Sequence, residues 1–217
     1  MMVIPREVKN RSKVNSWSKS VRKLQNSLIL DSIQKQVLVG TLLGDACLAP
    51  NVYGKNFRLE LSQSAKQKAY LDWKAKIFHN WCLSQPHFNK KTKSWRIKTL
   101  SHPELTTYHS IFYRDGKKVI PKSINQIFCS TLGLAVWFMD DGTKGPRSGY
   151  TLNSQNFSQT DNEILVKLLQ SSFGIKQVSL HRDKKYQRIY IGGRSRLKFE
   201  NLIRPHIIPT MLYKLHS

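Results

Sequence analysis

Acid is scarce in this 217-residue chain: 13 Asp and Glu stand against 36 Lys and Arg, a formal charge of +23 with the seven His neutral. A surplus of that size repels itself unless a polyanion offsets it, and the common biological polyanion is nucleic acid. Cysteine is scarce too. Cys47, Cys82 and Cys129 are odd in number, widely spaced and without a C-x-x-C pair. That argues against a disulfide framework or a zinc ribbon and fits a reducing, intracellular compartment. The His residues form no H-E-x-x-H pattern, and Cys82 with His87 are two scattered groups without the partners a zinc site needs. Long apolar runs are missing, which excludes a helical membrane span. The first 30 residues carry seven basic residues and one acid but lack the apolar centre of a secretory signal. They read equally as an organelle transit sequence or as a basic arm that touches DNA. Apolar residues are not lacking. At 40% hydrophobic and 10% aromatic, with five Trp, eight Tyr and nine Phe, the chain can build a core and is no disordered basic tail.

The chain repeats itself. Phe88–Lys98 (FNKKTKSWRIK) lies over Leu180–Tyr190 (LHRDKKYQRIY) at a constant offset of 92, each copy reading as strand, short basic turn, strand. Upstream, the alternating Phe57–Gln63 precedes an amphipathic helix around Tyr70 to Cys82, and Tyr150–Gln155 precedes one around Asn162 to Phe173. Downstream, Val119-Ile120-Pro121 matches Ile207-Ile208-Pro209, each after a helical stretch, Leu105 to Tyr113 and Ser195 to Ile203. One further pair opens the halves: Leu38–Ala46 (LVGTLLGDA) over Leu134–Gly142 (LAVWFMDDG), apolar around most of the circumference as a buried helix is. Gly40 and Gly44 fall on one helical face. Each is worth roughly 1 kcal/mol less than Ala in a helix interior, a loss that close approach of the second helix would offset.

Each opening helix ends in an acid, Asp45 and Asp141, the latter after Asp140. The macrodipole disfavours negative charge at a helix C-terminus. Helices packed side by side by pseudo-symmetry would bring Asp45 and Asp141 together, and two such carboxylates call for a hard divalent cation between them. The competing reading makes Asp141-Gly142 a plain helix end with a glycine cap, which explains the glycine but not an acid at both ends.

At these residues the chain resembles the LAGLIDADG homing endonucleases, specifically the monomeric kind with two motifs. The resemblance runs from about Asp31 to Leu215 and includes the sequence AYLDW, the Ile-Pro dipeptides and the closing PTMLYKL. Departures are Ala46 where the first motif often has glycine, and Gly44 and Asp140 just before the catalytic acids. The resemblance implies an α+β fold of two αββαββα halves related by a pseudo-twofold axis. Motif helices form the seam, and two antiparallel sheets form a DNA-binding saddle. The chain then divides into a basic N-terminal arm (1–30), a first half (31–129) and a second half (130–217).

By the same resemblance Asp45 and Asp141 hold the catalytic ions, with Mg²⁺ the natural occupant and Mn²⁺ a substitute, and Asp140 is second choice to Asp141. Lys118, just before Val-Ile-Pro, and Lys214, five residues after Pro209, occupy related places where the family has active-site lysines that polarise the scissile phosphate. Gln63 and Gln155 end matched strands, where the family organises water near the metals. If the sheets face DNA, Trp95, Ile97, Ile189 and Ile191 point inward. Arg96, Lys98, Arg188 and Tyr190, with Arg58, then face the bases. Lys90, Lys91 and Lys93 in one turn, and Arg182, Lys184 and Lys185 in the other, suit phosphates. The implied activity is double-strand cleavage of a long asymmetric DNA target, leaving short 3′ overhangs and promoting intron mobility from an organelle. The alternative is an intron RNA maturase on the same scaffold.

Overall fold

A computed structural model describes residues 18–51, 54–145, 148–184 and 186–216. Much of the basic arm, residues 1–17, and Lys185 in the second turn lie outside the described residues. Packing gathers the described residues into two compact units, one of those up to Gln34 with those of Ala46–His109, the other of Lys35–Asp45 with those from Ser110 onward.

The first unit is built on a four-stranded antiparallel sheet of β1 (Cys47–Pro50), β2 (Phe57–Ser64), β3 (His87–Asn89) and β4 (Ser94–Lys98), in the order β1-β2-β4-β3. Alternation in β2 does what period-2 patterning dictates. Leu59, Leu61 and Gln63 are buried on one face, while Arg58, Glu60 and Ser62 lie on the other. Opposite them Ile97 is buried and Arg96 and Lys98 are exposed. Helix Lys68–Ile77 covers the inner face, burying Tyr70, Leu71 and Ala75. It is shorter than the sequence pattern suggests. A 3₁₀ turn at His79–Trp81 interrupts it and sends Trp81 into the core, where its Nε1 donates to Gln34 Oε1 at 3.2 Å.

The second unit repeats that topology with β7 (Gly142–Lys144), β8 (Tyr150–Leu152), β9 (Val178–Asp183) and β10 (Tyr186–Ile191), in the order β7-β8-β10-β9. Ile189 stands opposite Leu152 as Ile97 stands opposite Leu61, but the 92-residue offset does not hold through the hairpin: Phe88 pairs with Trp95, whereas Leu180 pairs with Ile189 and not with Gln187. Its covering helix, Gln159–Phe173, starts at a capping box between Ser158 and Asp161 and stops at Gly174, whose φ of 65° is left-handed. That is the sequence chemistry such ends require. The strand expected over Tyr150–Gln155 stops at Leu152 instead. Asn153 turns both its backbone N–H and its Nδ2 onto the Asp141 carbonyl, at 3.0 and 2.8 Å, and leaves the ladder. Gln155 therefore ends no strand, and by register the counterpart of Gln63 is Ser154.

Two elements of this unit are not visible as such in the repeat. A hairpin of β5 (Tyr113–Arg114) and β6 (Lys117–Lys118) turns at Asp115-Gly116, with φ of 50° and 73°. Positive φ at both central residues is the type I′ geometry that Asp-Gly favours. Near the end of the chain a 3₁₀ segment, Pro209–Lys214, buries Met211 and is followed by buried Leu215.

Candidate active site

The first motif helix, Ser32–Leu43, and the second, Thr131–Asp141, meet inside the second unit from Lys35 onward. Apolar side chains run around most of both helices, as burial on most sides requires. Val37, Leu38, Val39, Leu42 and Leu43 are at most 1% exposed, and Gly133 to Met139 are all buried. The glycines mark where the backbones touch. A Cβ on Gly40 would fall onto the Gly133 carbonyl and 2.9 Å from Val136 Cβ, and one on Gly133 would lie 3.2 Å from the Gln36 carbonyl. At the next turn a Cβ on Gly44 would come within 2.5 Å of Asp140 Cβ. The glycine before the acid of the first motif is thus space for the residue before the acid of the second. Asp140 is fixed there by Thr41, whose hydroxyl donates to Asp140 Oδ2 at 2.7 Å. That hydrogen bond makes Asp140 part of the helix contact, and it explains why the two motifs differ at this position. Gly142 corrects the glycine-cap reading. Its φ is −79°, not left-handed, and what it provides is room for the Phe138 ring.

The aspartates stand at one end of this contact. Asp45 is exposed and Asp141 is half-buried. The Asp141 carboxyl is pushed up from 3.8 to about 7, chiefly by burial, then by the negative charge of Asp45 and of Asp140, against the pull of Lys118 and Lys214. Each helix end carries its own ammonium. Lys118 Nζ donates to the Gly44 carbonyl at 2.9 Å, and Lys214 Nζ to the Met139 carbonyl at 2.6 Å and the Asp140 carbonyl at 3.3 Å. Cations on the last carbonyls offset the dipole that makes an acid unfavourable there. The two lysines reach matching ends from different places. The β5–β6 hairpin delivers Lys118, and the 3₁₀ segment after Pro209 delivers Lys214. In the repeat the residue at the place of Lys118 is His206, which meets Thr131 Oγ1 at 2.9 Å at the opposite end of the second motif helix.

The two glutamines sit in different surroundings. Gln63 is buried on the inner row of the first unit's sheet, and the Gln155 amide donates to Asp183 Oδ2 at 3.4 Å. Sequence reasoning misses Thr41, one turn before Asp45, and the hairpin that carries Lys118, although Asp115-Gly116 announces it.

On the sheets, Arg96 and Lys98 are exposed on the outer row of the first unit. Arg58 shares that row and is held by Glu60 at 2.8 Å. In the second unit Arg188 and Tyr190 alternate with buried Ile189 and Ile191. Arg188 pairs with Asp183 at 3.2 Å, and Tyr190 stacks on His181 with ring centroids 4.3 Å apart. Lys90, Lys91, Lys93, Arg182 and Lys184 are exposed at the hairpin turns. Trp95 is half-buried against Phe88, with the Lys68 ammonium 4.8 Å from its ring.

Two sheet-bearing halves of helices and antiparallel strands, each with an acid closing a buried motif helix, define the class: the duplicated LAGLIDADG scaffold. The profile of the LAGLIDADG DNA endonuclease family matches residues 35–199, and the chain belongs to that family. It is 31% identical over 199 residues to the probable intron-encoded endonuclease 1 of Wickerhamomyces canadensis, covering 86% of this chain and 85% of that one. It is 29% identical over 198 residues to the cytochrome b mRNA maturase bI2 of Debaryomyces hansenii, covering 86% and 74%. Among solved structures it is similar to the homing endonuclease I-WcaI bound to its DNA recognition sequence, with a TM-score of 0.87, 28% identity and 99% of each chain covered. Among the described residues no helix is long and apolar enough to cross a membrane.

Proposed function

We propose that the protein is a site-specific homing endonuclease that binds double-stranded DNA as a monomer and hydrolyses one phosphodiester bond in each strand. The observation that carries this reading is geometric: Asp45 and Asp141 close two buried helices in close backbone contact, with Lys118 and Lys214 on the last carbonyls of each, and burial with the neighbouring acids raises the Asp141 carboxyl. Negative charge gathered at two helix ends in a strongly basic chain is charge kept for a cation. Asp45 and Asp141 would hold it. An all-oxygen pair suits Mg²⁺, with Mn²⁺ as substitute. Among the described residues no three His, Cys, Asp or Glu cluster as a complete ligand cage. Mg²⁺ needs none, because it keeps several waters and takes phosphate oxygens with one or two carboxylates. When bound, such an ion polarises the phosphate and makes water a better nucleophile.

The protein's own groups complete the site. Lys118 and Lys214, each anchored on a motif-helix carbonyl, present positive charge where the pentacovalent phosphate gathers negative charge. Both motif helices come from one chain, so no second copy is needed. The outer rows of the sheets, with Arg58, Arg96 and Lys98 in one and Arg188 and Tyr190 in the other, read bases in the major groove. The basic turns hold phosphates. Because the outward residues differ between the halves, the target is long and asymmetric. Cleavage across the minor groove leaves short 3′ overhangs. The intron-encoded relative supports an origin within an intron, and an organelle genome is the natural host.

Cleavage of a randomised DNA library in Mg²⁺, followed by sequencing of the ends, tests this reading. A single long motif cut in both strands, with activity lost in Asp45→Asn and Asp141→Asn, is the expected result. Full cleavage by both variants would overturn the metal assignment. The maturase-named relative supports a second reading, in which the same basic surfaces grip intron RNA. An Asp45→Asn, Asp141→Asn double variant that promotes splicing of its own intron would establish it.

A further inference from the structure

We propose that Tyr150 and Glu200 are positioning residues that hold the Lys214 ammonium at its helix end by way of the His216 backbone, an inference that rests on the endonuclease reading of this site. Tyr150, on β8, is 0% exposed and Glu200, on helix Arg196–Ile203, is 6% exposed. The phenol donates to Glu200 Oε1 at 2.5 Å and accepts from the His216 N–H at 2.9 Å. The His216 ring lies against the phenol, centroids 4.9 Å apart, with its Nε2 2.9 Å from the Gly149 carbonyl. Two residues before that pinned N–H stands Lys214, bonded to the carbonyls of Met139 and Asp140.

Packing alone asks for neither polar group. Tyr150 sits among aromatic rings, with Phe138 and Phe199 centroids at 5.2 and 5.3 Å, a setting a Phe would fill. A hydroxyl and a carboxylate buried there are unfavourable unless both are satisfied. They are satisfied by each other, by His216 and by Arg204, which reaches Glu200 Oε2 at 3.0 Å. Burial and the Glu200 hydrogen bond together keep the phenol protonated, so the chain carboxylate, phenol, backbone N–H has one polarity only. Its effect falls on a flexible four-carbon side chain whose tip must be placed to about half an ångström.

The other lysine is served in the same way. Two residues after Lys118, the Ile120 N–H donates to Asp161 Oδ1 at 2.9 Å. The two devices are unrelated in the repeat yet act at the same interval, which is what a shared task for the two ammonium groups would select. Asp161 also caps its helix through Ser158, so substituting it would confound two effects. Removing the Tyr150 hydroxyl leaves every ring contact in place.

The test is a double-mutant cycle on the DNA target recovered from the library, reading single-turnover cleavage, DNA affinity and Tm. Tyr150→Phe should cut about tenfold more slowly at saturating DNA, with affinity within about twofold, a rate effect separated from binding. Lys214→Ala should cut more slowly still, and the double variant should be no slower than Lys214→Ala, because residues acting as one unit are not additive. Multiplying losses, or Tyr150→Phe at the wild-type rate, would overturn the proposal while leaving the endonuclease reading intact. A wild-type chain that cuts nothing overturns both. If Tyr150→Phe does not fold, Glu200→Gln is run through the same cycle, with the same non-additivity expected and additivity equally fatal.

Discussion

At Asp141 a raised carboxyl sets the direction of a pH effect. A group whose folded value lies above its unfolded one stabilises the fold while it is protonated. That contribution is complete below about pH 4 and is lost as pH rises to about 7. In metal-free buffer, Asp141→Asn should therefore gain Tm over wild type steadily between pH 4 and 7 and hold a constant advantage above it. Each kcal/mol recovered is worth about 2–4 °C in a chain of this size. Mg²⁺ should raise the wild-type Tm at pH 8 and leave the Asn variant nearly unmoved. Lys118→Ala, measured by cleavage rate and by DNA affinity, should slow cutting by about 10²-fold, as loss of a transition-state donor does, with affinity nearly unchanged. An equal loss of both would make Lys118 a phosphate contact. Asp45 and Asp141 are legible because a repeat returns an acid to the same place in a chain with few acids. Thr41 is not. A hydroxyl inside an apolar helix gives no sign of its partner until the second helix lies beside it.

The motif helices show what an element-scale pattern can and cannot carry. Gly40 and Gly44 announce a close contact because their spacing follows the helical period, and the Gly133 carbonyl and Asp140 stand where their side chains would be. Gly40→Ala should lower stability by about 1–3 kcal/mol through overpacking, outweighing the roughly 1 kcal/mol by which Ala is the better helix former. Denaturant unfolding measures the sign. Strand ends are less legible. Alternation from Tyr150 to Gln155 is real, but Asn153 finds a better acceptor in the Asp141 carbonyl, a competition between ladder and loop that no period encodes. Likewise the Val-Ile-Pro match aligns the sequence correctly and still hides the fact that Lys118 and Lys214 arrive on different elements.

Over the whole molecule, the duplication is the legible part, since two four-stranded sheets with the same strand order follow from it. The charge of +23 makes a further expectation. DNA affinity measured from 50 to 200 mM salt should fall with a log–log slope of about −0.9 per phosphate neutralised. Lys90→Ala or Lys184→Ala should reduce that slope by about one unit, with no change in the sequence cut. An affinity indifferent to salt would contradict basic sheets as the binding surface.

The origin of the two lysines bears on how such chains can recombine. Lys118 serves the helix that ends before Asp45, and Lys214 the helix that ends before Asp141. A crossover between two related genes anywhere from Lys118 to Thr131 would hand each carboxylate to the offspring together with its own ammonium. Chimeras joined there should inherit a working pair at both scissile positions, whatever each parent's sheets were selected to read.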